Sequence, residues 1–130
     1  MAAEALGHAI ALDPRNPAFY GNRSLALQRA GRHEEALVDA ESCLRCDAAY
    51  AAGYERKGRA LLGLEEPQAA LAAFQRGLVL EAEHAGLREG AREAERAVER
   101  QRMEIMQAGS EAVGGLPPGA AAATVRLGLR

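Results

Sequence analysis

Along residues 17–84 the apolar side chains recur at intervals of three and four, the spacing that lines one face of a helix. Two breaks interrupt the pattern. The stretch RAGRHEEA contains Gly31, which suits a left-handed or open backbone position. The stretch LGLEEPQA contains Pro67, which suits the first turn of a helix, where no amide donor is required. Each break separates two amphipathic segments, so the pattern predicts two helix–turn–helix units and no strand. Within FYGNRSLAL, residues 19–27, Asn22 and Arg23 fall in the middle of a helix otherwise built for packing. They face either water or something the protein holds.

The two units are copies of one another. At an offset of 34 residues Tyr20 meets Tyr54, Leu27 meets Leu61, Ala36 meets Ala70, Leu37 meets Leu71 and Leu44 meets Leu78. A helix pair with this period resembles the tetratricopeptide repeat. Pro17 and Ala51 open the two copies. Ser24 and Gly58 take the eighth place, where small residues let the helices approach, and Leu27 and Leu61 the eleventh. Ala36 and Ala70 stand at the twentieth place, Ala40 and Phe74 at the twenty-fourth, and Cys43 and Gly77 at the twenty-seventh. The closing proline of the pattern is replaced by Ala48 and Ala82. The resemblance implies an all-α fold, an α-solenoid of antiparallel helix-pair repeats at residues 17–50 and 51–84.

One further step back places Pro14 on the closing position and matches Ala2, Leu6 and Ala9 to a second helix. Residues 1–14 therefore read as the second helix of a truncated repeat, its first helix falling before Met1. The apolar face of residues 2–13 is expected to lack a partner and to fray or self-associate. Residues 85–108 read as a C-terminal capping helix with a thin apolar stripe of Leu87, Ala91, Ala94, Val98 and Ile105. Arg88, Arg92, Arg96 and Arg100 form a ridge beside Glu89, Glu93, Glu95 and Glu99. It is expected to be a solvated surface with Glu–Arg pairs at spacing three, a basic strip for an acidic partner being the alternative. Residues 109–130, rich in Gly, Pro and Ala without periodicity, are expected to be a disordered tail.

Composition narrows the function. Aromatic residues make up 4% of the 130 and Trp is absent, whereas the Ala and Leu that dominate favour helix. A formal charge of −2 supplies no concentrated positive face for nucleic acid. No run of about eighteen apolar residues is present to span a membrane. The N-terminal stretch lacks the basic region of a secretion signal, and two cysteines do not make a disulfide scaffold. A cytoplasmic protein without nucleic-acid or membrane partners is the expectation.

In a tetratricopeptide stack, the resemblance implies, the first helices line a concave groove. Asn22 and Arg56 hold the same place in successive repeats and are expected to project side by side into it. Arg59 and Arg29 add donors, and Glu55 opposes them. Asn and Arg offer planar donors suited to a carboxylate, and Arg binds it as a two-toothed fork.

FYGNRS followed one repeat later by GYERKG resembles the co-chaperone subclass that binds heat-shock chaperones. Members of that subclass grip a C-terminal Glu-Glu-Val-Asp tail in a carboxylate clamp built from three repeats. Residue by residue, the resemblance carries over an Asn as Asn22 and an Arg as Arg56. A clamp Lys is replaced by Ala52, and two further clamp residues fall before Met1. A hydrogen bond to a charged group is worth roughly 1.5–3 kcal/mol. Three missing donors then cost about 4.5 kcal/mol or more, against about −8 kcal/mol for micromolar binding, so weak binding of a chaperone tail by this chain alone is expected. The leading reading is a protein–protein interaction adaptor, co-chaperone-like, that accepts an acidic or C-terminal peptide. Its alternatives are a scaffold with an apolar groove and no carboxylate preference, and an oligomerisation fragment. For Asn22 the simpler alternative is a helix–helix hydrogen bond within the stack.

Other chemical signals are weak. Cys43 and Cys46 form a CxxC without a second ligand pair or a preceding strand, and both are expected on the packed side of a helix. His33-Glu34-Glu35-Ala36-Leu37 begins like a zinc-protease helix, but Leu37 stands where the second His is required. His8, His33 and His84 share no constellation. No enzymatic activity, metal or cofactor is expected.

Overall fold

The computed structural model describes residues 3–114, with side chains placed as far as Gly109. Six helices occur among the described residues: α1 (Ala3–Leu12), α2 (Pro17–Arg29), α3 (His33–Cys46), α4 (Ala51–Gly63), α5 (Pro67–Leu80) and α6 (Ala85–Gly114). Through Ala97 they form one compact unit, and Val98 begins a second.

Local chemistry sets the helix ends. Asn16 caps α2, its Oδ1 accepting the Ala18 amide at 3.0 Å, and Pro17 follows where a missing donor costs nothing. Pro67 opens α5 in the same way. Asp47 Oδ1 accepts from the Ala49 amide at 3.0 Å in the link to α4, and His84 Nδ1 accepts from the Leu87 amide at 3.1 Å at the start of α6. The turn between α2 and α3 uses Gly31 at φ 77°, the left-handed position expected of it. Its counterpart between α4 and α5 is Glu65 at φ 60°, so the same turn is made there by a residue with a side chain.

The two helix pairs, α2–α3 and α4–α5, repeat each other in their bonds as well as their outlines. Tyr20 Oη donates to the Pro14 carbonyl at 3.0 Å, and Tyr54 Oη donates to the Ala48 carbonyl at 3.1 Å. The acceptor is backbone, which explains how alanine stands at the closing position without loss of this contact.

Small residues set the packing distance. In the first pair Ser24 is fully buried and its hydroxyl donates to the Ala36 carbonyl at 2.7 Å. In the second pair Gly58 replaces it, and the space goes to the ring of Phe74, fully buried among Leu61, Ala70, Leu87, Ala91 and Ala94. The Phe74 ring also touches the backbone at Gly90 on α6, where an added methyl group would overlap it. Arg23 lies outside this apolar set. It grips Asp39 on α3 with a two-toothed bond of 2.6 and 2.7 Å, and Asp39 is only 4% exposed.

Several expectations are corrected at the ends. Leu6 on α1 is 2% exposed and buried in this chain, so part of the face expected to lack a partner has one in α2. The large apolar side chain that α1 leaves in water is Leu12. The helix expected to stop at 108 continues to Gly114, because Gly109 costs an exposed helix only about 1 kcal/mol. Residues 115–130 of the expected tail lie outside the described residues. Of the apolar stripe on α6, Leu87, Ala91 and Ala94 are buried, whereas Ile105 is exposed together with Met103 and Met106. Arg88 turns back to Glu83 at 3.1 Å, and spacing-three pairing on α6 joins Glu99 to Arg102 at 3.8 Å.

α6 continues the repeat register without its chemistry. Arg88, Arg92 and Glu95 stand where the repeats carry Tyr20 and Tyr54, Ser24 and Gly58, and Leu27 and Leu61; all three are exposed.

Candidate functional site

The residues expected in the groove sit on the first helices of the two pairs, α2 and α4. Asn22 is exposed near the middle of α2, and Arg29 is exposed two turns further on, about 10 Å along the axis. Both border an open cavity of about 560 Å³ that also meets Glu4 and Leu6 of α1 and Leu25 of α2. No hydrogen bond or ion pair holds Asn22 or Arg29 to another described side chain, so the helix–helix bond proposed for Asn22 is not formed.

Arg56 leans from α4 toward α2. Its Cγ comes within 3.9 Å of the place a methyl group would take on Gly21, so its stem packs on α2. The Arg56 side chain is 20% exposed, and its Nε is buried without a hydrogen-bond partner. The one acidic contact it makes is loose, Nη1 to Glu55 Oε1 at 3.4 Å. The backbone beneath is fixed by Gln28, whose amide donates to the Arg56 carbonyl at 3.0 Å across the two repeats.

Arg59, one turn along α4, is committed elsewhere. Its Nη1 pairs with Glu93 on α6 at 2.5 Å, and its guanidinium lies 5.8 Å from the centre of the Phe74 ring. Asn22 and Arg29 therefore border one cavity, Arg56 packs on α2 at Gly21, and Arg59 has an internal partner. Sequence reasoning placed Glu93 in the charged ridge of the last helix and missed its pairing with Arg59, though it follows Arg59 by one repeat length and so sits at the matching place on the next helix. Arg23 is likewise absorbed by Asp39, and Lys57 lies 3.8 Å from Glu41.

The thiols divide. Cys43 is fully buried, as expected, and burial pushes its thiol up to about 11, with Cys46 adding to the rise and Arg56 opposing it. Cys46 is only partly buried, its Sγ turned to the Pro14 carbonyl at 3.8 Å, so it does not share the packed position expected of both. His33 packs against the backbone of Gly63 with Nδ1 buried and unpartnered.

These helix pairs, their 34-residue register and their capping helix make the fold a tetratricopeptide-repeat solenoid, and its relatives lie among co-chaperone repeat domains. The chain is 40% identical over 114 residues to the Hsp70-Hsp90 organizing protein of Triticum aestivum, covering 85% of this chain and 20% of that protein. It thus spans about a fifth of the length of that relative. Among solved structures it matches the Sgt2 tetratricopeptide domain of Aspergillus fumigatus with a TM-score of 0.73 and 25% identity, covering 78% of this chain and 68% of that one. It also matches the second such domain of human RPAP3, solved with the HSP70 peptide SGPTIEEVD, with a TM-score of 0.67 and 25% identity over 72% of this chain and 78% of the other. No protein-family model matches the chain. The resemblance to the carboxylate-clamp co-chaperones, read first from FYGNRS and GYERKG, stands on these relatives as well.

Proposed function

We propose that this chain is a binding module, not an enzyme, that receives the acidic C-terminal tail of a heat-shock chaperone in the groove formed by α2 and α4. The observation that carries the reading is the Arg56 guanidinium, its stem packed on α2 at Gly21 and its Nε buried without a partner, on the helix that repeats the one bearing the exposed Asn22. A buried donor without a partner costs free energy, which a ligand carboxylate recovers once the guanidinium turns out to meet it. The relatives lend the class of ligand: one is named for organizing Hsp70 and Hsp90, and one neighbour was solved with the HSP70 peptide SGPTIEEVD. Free thiols at Cys43 and Cys46 suit the reducing cytoplasm, where such chaperones would be met.

A second reading has its own support. Arg56 and Arg59 each have a carboxylate of the chain itself within reach, Glu55 and Glu93, and Ala52 adds no charge. A groove neutralised in this way suits an extended or helical partner held by apolar contacts without carboxylate preference.

Titration of the chain with a labelled Met-Glu-Glu-Val-Asp peptide and with its C-terminal amide, at low and physiological salt, separates the two. The first reading expects binding that is lost on amidation, weakened by salt, and reduced about tenfold or more by Arg56→Ala. Equal binding of acid and amide, indifferent to Arg56→Ala, selects the second.

A further inference from the structure

We infer that the cleft between α3 and α5, floored by α4, is a docking site for an acidic side chain of a partner protein. It takes a carboxylate that the first repeat supplies from within and the second does not. The two repeats carry the same cleft one register apart. In the first, between α1 and α3, Arg23 of α2 grips Asp39 of α3 with bonds of 2.6 and 2.7 Å. One repeat length further on, Lys57 takes the place of Arg23 and Ala73 that of Asp39. The cation is kept and its carboxylate is gone.

An open cavity of about 340 Å³ remains there, bordered by Lys57, Ala73, Leu37 and Leu61. Glu41 stands where the preceding cleft has Gly7, and it approaches Lys57 Nζ only to 3.8 Å, beyond a hydrogen bond. Arg76, on the same cavity, has no ion pair or hydrogen bond among the described residues. Two cations therefore share one distant carboxylate over an apolar floor. The Lys57 side chain is 34% exposed, so its ammonium is open to a ligand arriving from solvent. The cavity is at the small end for a metabolite site and lies open to water, where a free molecule would keep much of its surface wet. A protein segment gains more. Ala72 and Val79, seven residues apart and so on one face of α5, are both exposed and offer it a second apolar contact. An Asp or Glu beside an aliphatic residue fits the cleft: the carboxylate meets Lys57 and Arg76, and the aliphatic side chain lies on Leu37 and Leu61.

The test adds acetyl-Leu-Glu-Leu-amide or acetyl-Leu-Gln-Leu-amide to the isotope-labelled full chain and follows its amide resonances. Both peptides have blocked ends, so neither offers the terminal carboxylate of the groove reading, and the outcome is independent of it. The Glu peptide is expected to bind in the millimolar range and to move the amides of Lys57, Ala73 and Arg76. It should bind about three- to tenfold more tightly than the Gln peptide. Lys57→Met should abolish that preference. Ala73→Asp, which returns the missing carboxylate, should weaken the Glu peptide about fivefold or more. Circular dichroism checks that both variants keep their helix, and Lys57→Met carries the test alone if Ala73→Asp does not fold. Equal binding of the two peptides, no binding of either, shifts confined to α2 around Asn22, or a preference that survives Lys57→Met overturns the inference. Binding of free isocaproate as tight as that of the Glu peptide assigns the cleft to a small carboxylate. Cleft resonances that move with chain concentration alone assign it to a second copy. Either of these results overturns the inference as well.

Discussion

The ring of Phe74 rests on the bare backbone of Gly58: a methyl group added there would stand 2.5 Å from both Cε1 and Cζ of the ring. Phe74 occupies the place that Ala40 holds in the preceding repeat, so one repeat spends its interior on a large ring and the other on a smaller residue and a hydrogen-bonded Ser24. Gly58→Ala should lower stability by about 1–3 kcal/mol in urea unfolding, the range for overpacking a tight core. The same change combined with Phe74→Leu should cost less than the two single costs added together, because the smaller side chain yields the space.

Arg23 and Asp39 join the two helices of the first repeat with a two-toothed bond whose carboxylate is almost wholly buried. Asp39→Ala strands a half-buried guanidinium and removes two charge-assisted bonds. A loss of about 2–3 kcal/mol is expected, read by denaturant midpoint. Arg23→Lys, which keeps the charge but cannot form the fork, should recover only part of the wild-type stability.

Cys43 gives a pH signature. Its thiol is raised from 9.0 to about 11 by burial, so the folded chain holds that proton more tightly than the unfolded one. This contribution to stability is whole below about pH 9 and is lost as the pH rises through about 11. Alkylation of the folded chain at pH 8 should label Cys46 well before Cys43, the partly buried thiol before the buried one, with mass spectrometry as the readout. Unfolding in urea should bring the two rates together.

Gly31 holds φ 77° with no atom within 4 Å of an added methyl group, so only backbone strain opposes a side chain there. Gly31→Ala should therefore cost about 1 kcal/mol, without the packing penalty expected at Gly58. Melting of both variants side by side distinguishes strain from overlap.

Much of the architecture was readable because the chain says it twice. Tyr20 with Tyr54, and Ala36 with Ala70, mark the period before any helix is drawn, and Gly31 and Pro67 mark the turns. What stayed hidden depends on direction. Asn22 and Arg23 look like a pair in the sequence, but one step along a helix turns a side chain by about 100°. Asn22 faces water as a result, and Arg23 turns inward to Asp39. Glu65 gave no sign of its left-handed backbone, since nothing in its side chain asks for it. Arg59 was read as a free groove donor because charge along a chain does not say which charges meet. Leu6 was read as unpartnered because the missing first helix drew attention away from the contact with α2.

The register that α6 shares with the repeats bears on how long such a stack can grow. At its three matching places the aromatic, small and aliphatic residues of the pairs are exchanged for Arg88, Arg92 and Glu95. A helix arriving to pair with α6 as α3 pairs with α2 would bury two guanidinium groups and a carboxylate with nothing built to receive them. The array is thus punctuated by side chains and not by a break in its backbone. Restoring the repeat residues at those three positions should turn the cap into a sticky end, and the chain would then associate with whatever amphipathic helix it met, including its own.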